Sequence, residues 1–101
     1  MDCSGLVFTS FKEIGITLPR SSKNMYYEGK EISLKNVKRG DLLFFDTNTF
    51  EGNVNHVGLV TSVNDFEVSF MHSTNSKGVT TTSINDSYWK KAFIKAKRIL
   101  D

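Results

Sequence analysis

The chain has 101 residues, enough for one domain and not comfortably for two. Hydrophobic residues make up 39%, with eight Phe and one Trp, so a compact core is within reach, while a net charge of +2 is too small to imply a nucleic-acid partner. One cysteine excludes an internal disulfide, and no stretch approaches the roughly 18 consecutive apolar residues that span a membrane.

The first predicted element is a helix. Asp2 can cap it by accepting a backbone N–H, which starts the helix at Cys3. Cys3, Val7, Phe11 and Ile14 then form one apolar face with sulfur at its N-terminal end. Gly15 is a natural stop, and "LPRSS" reads as a loop. Ser21 can cap a second, short helix over Ser22 to Glu28, closed by Gly29.

After Gly40 the pattern turns to strands. "DLLFFD" is a short apolar run bounded by charge, which suits a buried strand. "HVGLVTSV" and "FEVSFMHS" flank a turn at Asn64-Asp65, and "GVTTTSI" follows as another strand. The spacing of Trp89, Ala92, Phe93 and Ala96 is helical, yet "FIKAKRIL" also reads as a strand. Helices followed by an antiparallel sheet define an α+β fold. Basic residues in "YWKKAFIKAKR" read as a solvated face.

The single thiol stands at a chemically favoured place. A helix N-terminus carries partial positive charge and unpaired N–H groups, which favour a thiolate and can help bind an oxyanion. A small buried hydrophobe is the competing reading of a lone cysteine. A nucleophilic cysteine needs an imidazole as base, and the imidazole needs a third group to orient it. The two histidines, His56 and His72, lie on consecutive predicted strands, sixteen residues apart. If they oppose each other directly, the hairpin centres on Asn64. An odd-numbered loop then puts both imidazoles on one face; a two-residue loop separates them unless a bulge intervenes.

"DCSGLV", "LPRSS", "VKRGDLLFF", "NHVGLV" and "FMHSTNSKGV", in that order, resemble the NlpC-type cell-wall peptidases, with the nearest likeness to the murein endopeptidase lipoproteins of Gram-negative bacteria. The resemblance runs over essentially all of residues 1–101, read as one domain. It implies a papain-like α+β fold, with the cysteine-bearing helix packed on an antiparallel sheet. It implies Cys3 as nucleophile, His56 as general base and then acid, and His72 as the orienting third residue. The implied substrate is a peptidoglycan stem peptide or cross-link, cut beside a D-amino acid or diamino acid, in the cell envelope. Asp2, Ser4, Arg20 and Ser21 match positions that line the substrate cleft in similar enzymes; Asp2 and Ser21 also read as helix caps.

"RGDLLFF" matches the family as a structural motif, with Asp41 free to bond nearby N–H groups. Relatives of this kind carry a segment before the cysteine, with a tyrosine that reaches the active site; here only Met1 and Asp2 precede it, and no leader segment is legible. Three other functions compete. The first is a non-catalytic or weakened domain of the same fold that binds wall peptides. The second is a Cys-His-His metal site, although the separations fit no local ligand pattern. The third is a hydrolase of another amide or acyl substrate. The leading chemistry needs neither metal nor cofactor.

Overall fold

The computed structural model describes residues 2–47, 52–65, 67–74 and 76–100. Helix α1 spans Cys3–Lys12. Asp2 caps it as expected, its carboxylate accepting the Gly5 N–H at 2.7 Å. At the far end the Gly15 N–H bonds to the Lys12 carbonyl and the Ile16 N–H to the Phe11 carbonyl, both at 3.0 Å. This bond pair closes the helix as a Schellman turn. Val7 and Phe11 are buried, but Ile14 is 60% exposed. Ile14 lies beyond the last helical turn, and Ile16 packs against the core in its place.

Helix α2 covers only Ser22–Met25, shorter than the predicted Ser22 to Glu28. Its continuation tightens into turns, with the Tyr27 N–H on the Asn24 carbonyl and the Glu28 N–H on the Met25 carbonyl. Strand β1 (Lys30–Ile32) and a 3₁₀ turn (Leu34–Asn36) follow, neither of them predicted. The remaining elements are β2 (Leu42–Phe45), β3 (His56–Asn64), β4 (Glu67–Thr74), β5 (Gly78–Ser83), α3 (Ser87–Ala92) and β6 (Phe93–Arg98).

The six strands form one sheet in the order β1-β6-β2-β3-β4-β5, with every neighbouring pair antiparallel. All four residues of β2 are buried because both faces of the sheet are covered. Leu42 and Phe44 pack with Val7, Phe11, Leu18 and Met25 under the two N-terminal helices. Leu43 and Phe45 join Val60, Phe70, Ile84 and Ala92 on the other face, where Trp89 of α3 also packs. An apolar run without alternation is the signature of a strand covered on both sides.

The tail is a short helix followed by a strand, not one continuous helix. Strand β6 does not stand at an edge of the sheet. It lies between β1 and β2, and the unpredicted β1 takes the edge. Asp41 ties this region together. Its carboxylate accepts the Lys38 N–H at 2.8 Å and two bonds from the Arg98 guanidinium, at 2.9 and 2.8 Å. The "RGDLLFF" motif therefore anchors β2 to β6 through a bidentate pair.

The β3–β4 hairpin departs from the predicted register. Asn64 pairs with Glu67, leaving a two-residue loop. That loop alone would put the histidines on opposite faces. The register shifts between Val60 and Ser62, where Thr61 is one residue too many for β4. Beyond this bulge Leu59 pairs with Met71, and the continued ladder sets His72 beside Gly58. The imidazoles thus share a face as diagonal neighbours, not as a direct pair.

Candidate active site

Asp2, Cys3 and His56 meet at one end of the sheet, with His72 bonded behind His56. There the N-termini of α1 and α3 meet the first residue of β3 and the last residues of β4. A cleft of about 460 Å³ opens at this end, with Asp2, Cys3, Asn55, His56, Ser73 and Trp89 in its wall. Cys3 backs onto the cluster beneath α1, whereas His56 pairs with Phe45 and backs onto the other face. Because His56 begins its strand, the cleft can reach both across the end of the sheet.

The histidines form a hydrogen-bonded series. His56 Nε2 lies 2.9 Å from His72 Nδ1, and His72 Nε2 lies 2.8 Å from Thr82 Oγ1. Trp89 covers both rings, at centroid distances of 5.1 Å from His56 and 4.6 Å from His72. Phe70 lies 4.6 Å from the His72 ring on centroids. These aromatic contacts flank both rings, and His72 is almost fully buried. Burial holds His56 down to about 4, with neighbouring His72 adding to the effect. Burial likewise holds His72 down to about 4. Both rings are therefore neutral at pH 7, and His56 has a lone pair available as a base.

The thiol behaves differently from the sequence expectation. Burial pushes Cys3 up, and the Asp2 carboxylate adds to this, while backbone N–H groups of Val57 and Ser4 pull it down. Burial outweighs the N–H groups of the helix start, so the resting pair is a neutral thiol with a neutral imidazole.

Asp2 lines the cleft and caps α1 at the same time. Its carboxyl is held below the usual range, first by the Gly5 N–H and then by Arg20. Arg20 donates to Asp2 Oδ1 at 3.0 Å and to Ser4 Oγ at 2.8 Å, so these three residues form one polar cluster. Ser21 caps α2, accepting the Asn24 N–H at 3.2 Å, and is not in the cleft wall. Among the described residues, no three or more His, Cys, Asp or Glu side chains gather as metal ligands.

Sequence reasoning missed Thr82 and the role of Trp89. The helical spacing around Trp89 marked only a packing face. Nothing in "GVTTTSI" distinguishes one threonine from the next until the register sets Thr82 opposite Phe70 and thus diagonal to His72.

The depressed histidines make a stability prediction. In the unfolded chain each titrates near about 6.5. Between that value and about 4 the unfolded chain binds protons that the fold refuses. Stability is thus lost as pH falls through this window. Thermal melts from about pH 7 to about pH 4.5 should show a falling Tm, with a smaller fall in His72→Asn. A wild-type Tm that stays flat over this range would contradict neutral burial.

A helix-borne cysteine packed on an antiparallel sheet that carries the histidines defines a papain-like α+β domain. The chain belongs to the NlpC/P60 family, whose model matches residues 1–98. It is 37% identical over 101 residues to a probable endopeptidase NlpC homolog of Haemophilus influenzae, covering 99% of this chain and 50% of that protein. It is 38% identical, with the same coverage, to the murein DD-endopeptidase MepS/murein LD-carboxypeptidase of Escherichia coli K12. The chain thus spans about half the length of these relatives. Among solved structures, an NlpC/P60 family protein of Bacillus cereus matches with a TM-score of 0.88 and 28% identity, over 100% of this chain and 32% of that one.

Proposed function

We propose that residues 1–101 form one cysteine peptidase domain that hydrolyses amide bonds in peptidoglycan stem peptides or cross-links, in the cell envelope. The observation that carries this reading is the cleft shared by Cys3 and His56, with Nε2 of His56 already engaged by His72 at 2.9 Å. Nδ1 of His56 is then the nitrogen left for the thiol proton. The sulfur attacks the amide carbonyl, and N–H groups at the start of α1 receive the oxyanion. The imidazolium returns its proton to the leaving amine, and water releases the thioester. His72 orients the base. Asp2, with Ser4 and Arg20 behind it, supplies a polar wall for the peptide. The murein endopeptidase name of the Escherichia coli relative supports this substrate class.

The test is mass spectrometry of purified muropeptides after incubation with the protein, with and without a chelator. New fragments that together gain one water, unaffected by the chelator, are the expected result. Tight muropeptide binding without cleavage would instead favour a wall-binding domain of the same fold.

A further inference from the structure

The histidine series does not end at His72. Thr82, His72 and His56 lie diagonally on three successive strands, β5, β4 and β3, each two register positions from the next. The bonds between them are 2.8 and 2.9 Å long. A series of two neutral imidazoles and a hydroxyl has two proton arrangements. In one, His56 Nε2–H donates to His72 Nδ1, and His72 Nε2–H donates to Thr82 Oγ1. In the other, Thr82 donates to His72 Nε2, His72 Nδ1–H donates to His56 Nε2, and His56 holds its proton on Nδ1. Only the first leaves a lone pair on His56 Nδ1.

We infer that Thr82 is a positioning residue: by accepting the His72 Nε2–H it keeps satisfied the proton arrangement in which His56 can act as a base. The inference rests on the peptidase reading given above. Its physical basis is the cost of an unpaired buried donor. Without the hydroxyl, the His72 Nε2–H faces no acceptor among the aromatic rings that flank it. The pair then relieves the loss by moving one proton on each ring. His72 becomes Nδ1–H and donates to His56, and His56 becomes Nδ1–H, which removes its lone pair from the cleft. When His56 takes the thiol proton in the wild type, it keeps its Nε2–H bond to His72. No proton needs to pass to His72 or Thr82, and the charge stays on His56.

The test uses the two-histidine content of the chain. Labelling histidine with nitrogen-15 gives two ring systems, assigned with His72→Ala. In the wild type at neutral pH, both rings should be Nε2–H tautomers. In Thr82→Val, which keeps the branched shape, the Nδ1–H form should appear in both rings. Thr82→Ser should restore the wild-type spectrum. On muropeptides, kcat of Thr82→Val should fall about tenfold or more, a fraction of what a general base supplies, with KM nearly unchanged and kcat rescued in Thr82→Ser. A wild-type His56 in the Nδ1–H form would overturn the proposal, as would Thr82→Val spectra identical to wild type. The wild-type spectrum decides even if Thr82→Val does not fold. Absence of cleavage by the wild type strikes the peptidase reading alone, because the tautomers are read without substrate.

Discussion

Cys3→Ala should abolish muropeptide cleavage while leaving the fold in place. Helix α1 is held by the Asp2 cap and by Val7 and Phe11. Loss of one half-buried sulfur at a helix start should cost about 1–2 kcal/mol. No other cysteine can replace it, since the chain has one. His56→Ala should lose nearly as much activity, because members of a catalytic unit fail together. His72→Ala should lose less, since the base remains and only its orientation and proton arrangement are disturbed. Melting curves and muropeptide digestion of the three variants, run side by side, separate the two effects. Equal cleavage by wild type and Cys3→Ala would exclude the mechanism.

Gly58→Ala should damage both stability and activity, although it adds one methyl group. A Cβ at this position would lie 2.6 Å from Phe70 Cδ2 and 3.3 Å from the Met71 carbonyl oxygen. Phe70 is fully buried in the core. Overpacking of this kind costs about 1–3 kcal/mol. In a domain of this size each kcal/mol lowers Tm by about 4–8 °C. The ring that has to move also packs on His72, so cleavage should fall along with Tm. An unchanged Tm would show that the Phe70 ring yields without strain.

Local chemistry made much of this site readable. Asp2 before Cys3 and Gly15 after Ile14 are short-range signals, and both ends of α1 follow them. The four buried residues of "LLFF" gave β2 without ambiguity. The histidine geometry was readable only as a condition: one face, given an odd loop or a bulge. The bulge at Thr61 satisfies it, and no feature of "VTSVN" announces a bulge there. Strand β1 escaped for a related reason. "KEI" has no apolar alternation to show, and it becomes a strand only because β6 offers a partner. The charge state of the thiol is not legible in the sequence. Position in a helix is visible in sequence, whereas burial, which outweighs it here, depends on residues far along the chain.

The placement of β6 between β1 and β2 also bears on how the molecule comes into being on a ribosome. The strand that completes the middle of the sheet is the last one in chain order. While residues 93–98 are still unmade, β1 has no partner and Asp41 waits for Arg98. The hairpins β3–β4 and β4–β5 can form early, since their contacts are local. The bonds from β6 to β1 and β2 join segments dozens of residues apart, which makes their closure the slow part of assembly. The nascent chain therefore carries Cys3, His56 and His72 before it has a complete sheet to hold them.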